Sequence, residues 1–183
     1  MSDKLKVGII LGSTREGRVS PQVGAWVKSI ADARGDMDIE IVDIKDYKLP
    51  LLGESSDMTG VNAWNAKLAE LDGFVFIVSE YNRSMSGALK NAFDSARDAW
   101  NNKAAGIVSY GSAGGARAAE HVRTVLGELQ IADVRSHTLL SLFTDFENWS
   151  VFKPADLHNV NVNAMFDQLI AWGTALKAVR NKA

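Results

Sequence analysis

The stretch VGIILGSTREGRVSPQ, Val7 to Gln22, contains the patterns of a strand, a polar loop and a helix start in direct succession. These first five residues belong to the run LKVGIIL from Leu5, which is mostly apolar and is typical of a strand covered on both faces. The segment GSTREGRVS that follows carries hydroxyl and guanidinium side chains. Pro21 suits the first turn of a helix, where its missing N–H costs nothing. A strand that leads through a polar loop into a helix is the repeating unit of open α/β sheets.

The same alternation of apolar strand and amphipathic helix continues along the chain. Four further apolar runs predict strands: IEIVDI from Ile39, GFVFIVS from Gly73, AAGIVSY from Ala104 and DVRSHTLL from Asp133. Apolar residues at helical spacing predict helices over 23–30, 61–71, 89–100, 118–129 and 165–176. We therefore predict one domain over residues 1–183, an α/β/α sandwich whose five-stranded parallel sheet is covered by helices on both faces.

The composition is that of an ordinary globular protein and limits the possible functions. A net charge of −2 over 183 residues does not indicate a nucleic-acid partner or an anionic membrane. The chain has no cysteine, which excludes disulfides, thiolate metal sites and cysteine nucleophiles and fits a cytoplasmic protein. Its three histidines lack metal-ligand spacing, and no apolar run reaches the length of a membrane span. We expect a cytoplasmic protein with no metal.

The loop after the first strand nearly matches a nucleotide triphosphatase motif. Gly12 and Gly17 have the G-x-x-x-x-G spacing of a P-loop. Arg18 and Val19, however, stand where that motif has its lysine and its magnesium-binding hydroxyl. A nucleotide triphosphatase is therefore not indicated.

The same loop nevertheless has the chemistry of an anion site. Ser13, Thr14 and Ser20 offer hydroxyl donors, and Arg15 and Arg18 offer charge-assisted ones. The start of the next helix adds free N–H groups and a dipole that favours negative charge. These groups suit a terminal phosphate. The alternative is an ordinary turn in which Ser20 is the helix N-cap and the arginines are solvated.

Two more polar loops follow the third and fourth predicted strands. The segment SEYNRSMSG places Glu80, Tyr81 and Asn82 directly after a strand, and Ser86 is a suitable N-cap for the next helix. An amide and an aromatic face suit a flat heterocycle, although Asn and Ser side chains also bond their own backbone in turns. The segment YGSAGGAR is rich in glycine, which allows close approach of backbone to a ligand.

These three loops should meet at the carboxyl edge of the sheet, where ligands of open α/β sheets bind. One loop supplies phosphate donors and two supply surface for a ring. We therefore predict a site for flavin mononucleotide (FMN) in a flavodoxin-like sheet with strand order 2-1-3-4-5.

Read together, GSTREGRVS, EYNRSMSGALKNAFD and GSAGGARAAEHVRTVL resemble the NAD(P)H-dependent FMN reductases, which include quinone, chromate and azo-dye reductases. The resemblance runs from about Lys4 to the final helix. It implies that the FMN phosphate is held by Ser13, Arg15, Arg18, Val19 and Ser20. It implies that the flavin ring lies along Glu80, Tyr81, Asn82, Ser84 and Met85, and near Gly111, Ser112 and Gly114. Serine stands at positions 79 and 86, where the family often has proline.

The resemblance also implies the reaction. NADPH or NADH would give a hydride to flavin N5, and a free flavin, a quinone or a similar small acceptor would then be reduced at the same place. This chemistry requires no protein acid or base, and we assign no catalytic residue. A homodimer or homotetramer is implied as well. The alternatives are a flavodoxin-type electron-transfer module without nicotinamide activity and a protein that keeps the fold without redox chemistry.

The segment LSLFTDFENWSVFKPADLHNV, 140–160, is long for a loop in a compact domain. It carries Phe143, Phe146, Trp149 and Phe152 among polar residues. We expect this segment, through Trp149 and Phe152, to form an oligomer interface or a wall of the acceptor pocket. The helix predicted from Gly87 to Trp100 is a second interface candidate.

Overall fold

The computed structural model describes residues 4–182 and contains a central sheet between two layers of helices. The elements in chain order are β1 (Leu5–Leu11), α1 (Ser20–Arg34), β2 (Met37–Asp43), α2 (Thr59–Glu70), β3 (Gly73–Tyr81), β4 (Ser84–Met85), α3 (Gly87–Asp94), β5 (Lys103–Gly111), α4 (Ala116–Glu128), β6 (Ile131–Ser141), β7 (Phe146–Glu147), β8 (Val151–Phe152) and α5 (Leu157–Arg180). Short 3₁₀ turns lie at Ile44–Tyr47 and Asp98–Trp100.

The sheet confirms the predicted topology for its five parallel strands. Their order is β2-β1-β3-β5-β6, which is 2-1-3-4-5 when only the parallel strands are counted. The prediction missed a sixth strand, β4, which pairs antiparallel with the end of β3. The chain reverses there through Asn82 and Arg83, both with positive φ, as in a two-residue hairpin turn.

One helix ends earlier than predicted. The apolar spacing predicted a helix from Gly87 to Trp100, but α3 ends at Asp94. The Ser95 hydroxyl donates to the Asn91 carbonyl at 2.7 Å at this end. Trp100 lies in a 3₁₀ turn, and its indole N–H donates to the Phe93 carbonyl at 3.2 Å. Its helical spacing thus reflects burial rather than a continuous helix.

Helices cover both faces of the sheet, as the apolar strands predict. An aromatic core that includes Trp64, Phe93 and Trp100 packs under α2, α3 and α4. The opposite core, which includes Val23 and Met165, packs under α1 and α5. None of the described helices is both long and apolar enough to span a membrane.

A buried carboxylate fixes α5 to the amino edge of the sheet. Asp72 precedes β3 and accepts hydrogen bonds from the Lys6 amide at 3.1 Å, from Lys177 Nζ at 2.9 Å and from Arg180 Nη2 at 2.6 Å. Burial opposes its ionisation, but these donors hold its pKa below the usual value. The opposite, carboxyl edge carries the polar loops.

Candidate functional site

Three loops meet at the carboxyl edge because they leave the adjacent strands β1, β3 and β5. They are the first loop (residues 12–19), the second loop (80–86) and the third loop (111–115). Arg15 Nε donates to Tyr81 Oη at 3.0 Å, and the Ser86 hydroxyl donates to the Gly12 carbonyl. Both contacts join the first loop to the second. The structure therefore brings together the loops that the sequence selected.

The first loop presents unpaired backbone donors. Within residues 4–182, the amides of Ser13, Thr14 and Arg15 donate to no protein acceptor. Thr14 and Arg15 are exposed, whereas Ser13 is buried. Successive free amides beside the N-terminus of a helix form a concave site for an anion.

Ser20 adds a buried hydroxyl to this site. The structure does not support the alternative in which Ser20 is the N-cap, because Val19 takes that position and Ser20 is the first residue of α1. The Ser20 side chain is fully buried, and its Oγ has no hydrogen-bond partner among the described residues. An unpaired buried hydroxyl is costly, which makes Ser20 Oγ a candidate donor to a bound ligand. A phosphate fits this hydroxyl and the free amides of the loop.

The two arginines of the first loop have different surroundings. Arg18 donates through both Nη atoms to the carboxylate of Asp43, at the end of β2, and also to the Ser13 carbonyl. Its donors are therefore engaged in holding the shape of the loop. Arg15 is exposed and makes no ion pair within the described part of the chain. Arg15 is the arginine with donors left for a ligand.

Below the first loop lies a cluster of buried hydroxyls that sequence reasoning missed. Tyr110, near the end of β5, is 7% exposed, and its hydroxyl is close to those of Ser79 and Ser20. Both serine side chains are near enough to the tyrosine to oppose the rise of its pKa, although neither hydroxyl has a hydrogen-bond partner among the described residues. Burial raises the pKa of Tyr110 to about 12, so its hydroxyl stays a protonated donor at neutral pH. The available signal was a tyrosine near the end of a mostly apolar strand that is buried along its whole length.

Glu80 in the second loop serves as the N-terminal cap of α4. The N-cap position itself is Gly115, which has no side chain to offer. Glu80 Oε2 instead accepts from the amides of Arg117 at 3.1 Å and Ala118 at 3.4 Å, while Oε1 pairs with the Arg117 guanidinium. Burial opposes ionisation of Glu80, but these donors lower its pKa overall. Glu80 thus joins the second loop to α4.

The rest of the second loop forms a hairpin with one exposed end. Tyr81 and Asn82 are exposed at this end, while Met85 is buried in the core. Ser84 Oγ lies 2.9 Å from Nδ1 of His121 on α4. Ser86 caps α3 by accepting from the Leu89 amide at 3.1 Å, as predicted.

The third loop places one polar side chain toward solvent. Ser112 is exposed, whereas Gly111 and Gly114 are buried. A Cβ on Gly111 would lie 3.0 Å from Cβ of Glu80. Gly114 has φ +67°, and a Cβ there would lie 2.9 Å from Cβ of Leu139. These glycines are required by close packing of the protein on itself, which brings the second and third loops together.

Residues 5–145 match the model of the family described as NADPH-dependent FMN reductase. The chain belongs to this family. As a member it is an FMN-dependent NAD(P)H oxidoreductase, which confirms what the resemblance implied.

Individual relatives agree with this assignment. An NAD(P)H-dependent FMN reductase of Schizosaccharomyces pombe is 33% identical over 159 residues, which is 82% of this chain and 80% of the relative. A quinone reductase of Escherichia coli is 34% identical over 134 residues, 69% of this chain and 71% of the relative. The structure of FerB, an NAD(P)H:acceptor oxidoreductase from Paracoccus denitrificans, aligns with a TM-score of 0.74 over 90% of this chain and 97% of FerB. At 19% identity this last match shows a shared fold.

Proposed function

We propose that the protein binds FMN across the three loops, with the phosphate in the first loop and the ring beside the second and third. The observation that carries this placement is the buried, unpartnered Ser20 hydroxyl next to a run of free amides. The proposed site residues remain those inferred from the sequence: Ser13, Arg15, Arg18, Val19, Ser20, Glu80, Tyr81, Asn82, Ser84, Met85, Gly111, Ser112 and Gly114.

Within that set the geometry suggests two kinds of role. Ser13, Arg15 and Ser20 would donate to the phosphate, and Tyr81 and Asn82 would lie against the ring. Arg18 and Glu80 would act indirectly, because their charged groups are already paired with Asp43 and with Arg117. They hold the shape of the loops on which the first group depends.

When bound, FMN would supply the redox chemistry between NAD(P)H and a second substrate. The chain supplies position and electrostatics. The N-terminus of α1 and the free amides favour the doubly charged phosphate, and Arg15 adds a positive charge at the rim. Tyr110 stays neutral at physiological pH and places no negative charge next to the phosphate.

We propose a small quinone as the second substrate, with free flavin as a further acceptor. The Escherichia coli relative is named a quinone reductase, and the exposed Tyr81 offers a flat apolar surface beside the proposed ring site. We also propose a homodimer or homotetramer, since Phe143 and Trp149 present large apolar surfaces to solvent. A cytoplasmic location fits the need for reduced nicotinamide.

The test begins with the visible spectrum of the purified protein and a titration with FMN. We expect flavin bands or saturable FMN binding, with much weaker binding of riboflavin, which lacks the phosphate. NADPH oxidation is then followed with and without an added quinone. A protein that binds FMN but does not oxidise NADPH or NADH would be an electron-transfer module, and one that ignores FMN would overturn the proposal.

A further inference from the structure

A second concave site adjoins the first loop on the side that faces the start of α3. A cavity of about 440 Å³ lies between Thr14, the segment 44–51 after β2 and the start of α3. Its volume falls in the range of small-molecule sites. We call it the lysine cleft, after Lys45 and Lys48 in its lining.

The lysine cleft borders the proposed phosphate site at Thr14 but lies on the other side of the sheet from Ser20. Ile44 and Leu89, at the cleft side, belong to the core under α2, α3 and α4. Val19 and Val23, on either side of Ser20, belong to the core under α1 and α5. The cleft therefore adjoins the layer of α2, α3 and α4, whereas Ser20 lies in the layer of α1 and α5.

Both lysines carry uncompensated charge. Lys45 and Lys48 are exposed and form no ion pair within residues 4–182, whereas Lys67 and Lys90 are paired with carboxylates. The carboxylate of Asp43 nearby is already bound by Arg18. Asp46, which lies between the two lysines in sequence, lines a neighbouring cavity together with Lys48. The lining of the cleft itself contains both lysines and no carboxylate. The cleft therefore has a local excess of positive charge.

The backbone adds further donors to the cleft. Ser86 satisfies the amides of Leu89 and Lys90 at the start of α3. The amides of Gly87 and Ala88, which line the cleft, donate to no acceptor in the described residues. Lys48 has a left-handed backbone with φ +48°, a conformation that costs energy for a lysine and here directs the chain along the cleft. Leu49 and Leu51 form an apolar wall.

We propose that the lysine cleft binds the adenosine end of the nicotinamide dinucleotide and that Lys45 and Lys48 bind the 2′-phosphate which distinguishes NADPH from NADH. The apolar wall suits the adenine ring, and the lysines suit a phosphate with two negative charges. The inference rests on the proposed function in one respect. Gly87 lines the cleft and directly follows the second loop, so the cleft adjoins the loop beside which the flavin ring is proposed to lie.

The test uses full-length protein and two small probes, adenosine 2′,5′-bisphosphate and adenosine 5′-monophosphate. Calorimetry measures their binding with and without added FMN, so the result does not depend on turnover. We expect the bisphosphate to bind roughly tenfold or more tightly, the gain typical of a charge-assisted contact. Lys45→Ala and Lys48→Ala should each reduce this ratio, and the double variant should abolish it. Lys4→Ala is the control, since Lys4 is exposed at the opposite edge and the charge change is the same.

Kinetics give an independent readout. In the double variant, kcat/KM for NADPH should fall roughly tenfold or more, and kcat/KM for NADH should stay within about twofold of the wild type. Equal binding of the two probes by the wild type, or an equal loss in Lys4→Ala, would overturn the cleft assignment alone. Probe discrimination in a protein that binds no FMN would instead support the cleft and overturn the proposed flavin function.

Discussion

Arg18 and Asp43 are 25 residues apart in sequence, yet the two Nη atoms of the guanidinium donate to the two carboxylate oxygens in a bidentate pair. The two side chains are only 13% and 17% exposed. Because Arg18 also binds the Ser13 carbonyl, the pair connects the end of β2 to the first loop. The shape of the phosphate site thus depends on a residue of a neighbouring strand.

Replacing that residue should damage both the fold and the site. Asp43→Ala leaves the Arg18 guanidinium without its carboxylate, and we expect a loss of about 1.5–3 kcal/mol in the free energy of unfolding. FMN affinity should fall as well, because the first loop loses its support. Urea unfolding and an FMN titration measure the two effects. Asp46→Ala, a neighbouring change of equal charge, should alter neither, and unchanged FMN affinity in Asp43→Ala would refute the supporting role.

Arg15 should affect the ligand without affecting the fold. Its side chain is exposed, so Arg15→Ala should leave urea unfolding nearly unchanged. The loss of a charge-assisted phosphate contact should weaken FMN binding roughly 10- to 100-fold. Riboflavin binding should change little, since riboflavin carries no phosphate. The matched control is Arg83→Ala at the exposed hairpin turn. Equal losses for FMN and riboflavin would place Arg15 at the ring instead.

Glu80 should make stability depend on acid pH. Its pKa is lowered in the folded protein, so its stabilising effect is fully present above the ordinary carboxyl pKa and disappears as pH falls through the lowered one. Glu80→Gln removes this dependence, and its urea midpoint should fall less than that of the wild type between about pH 5 and pH 3. Glu120→Gln on the exposed side of α4 is the control. If the urea midpoints of wild type and Glu80→Gln fall in parallel as pH falls, Glu80 is not the carboxyl group that makes stability depend on pH.

Tyr110 should have the opposite effect at alkaline pH. Its pKa is raised to about 12 in the folded chain. The stability that depends on the neutral Tyr110 hydroxyl is therefore fully present below the ordinary tyrosine pKa near 10 and is lost as pH rises toward 12. The shift corresponds to about 2–3 kcal/mol. Tyr110→Phe should therefore lose less stability than the wild type between pH 10 and pH 12. Tyrosinate absorbance provides the check: the signal missing from Tyr110→Phe should be the one that titrates near pH 12.

The segment 140–160 contains residues with two distinct roles. Phe152 packs against Trp26 at 5.4 Å and Phe146 at 5.1 Å between ring centroids, so it belongs to the core. Trp149 is 67% exposed and contacts Phe143. Phe152→Ala should cost about 2–3 kcal/mol of stability, less than a fully buried phenylalanine. Trp149→Ala should leave stability unchanged and lower the oligomeric mass or raise KM for the quinone. If Trp149→Ala changes neither, the interface proposal for this segment is wrong.

The features that the sequence predicts best are those set by the local residue pattern, such as strand bounds and helix caps. The bounds of β1 follow directly from its apolar run, and Ser86 was recognisable as a cap from its place before a helical stripe. β4 was missed because the turn at Asn82 and Arg83 has no glycine to mark it. The end of α3 was placed too late because a buried 3₁₀ turn continues the helical spacing of apolar residues.

The parts of the site that could not be predicted depend on contacts between distant residues. The sequence predicts Arg18 as a phosphate ligand. In the structure, the pairing of β1 with β2 places Asp43 beside Arg18, which the sequence alone does not show. Tyr110 and Ser20 are 90 residues apart, and only the order of the sheet strands brings their hydroxyls together. The sequence predicts that Glu80 contacts the flavin ring, whereas in the structure its carboxylate caps the N-terminus of α4.

The three donors that bind the Asp72 carboxylate are synthesised at different times, because one precedes Asp72 and the two cationic ones follow it far along the sequence. Asp72 and Lys177 are separated by 105 residues, so at roughly 5–20 residues per second a ribosome needs roughly 5 to 20 s between them. For that interval the carboxylate next to β3 has neither of its cationic partners, although all five parallel strands are made before Lys177 appears. The pairing of Asp72 with Lys177 and Arg180 can therefore form only after the last turns of α5 have been synthesised.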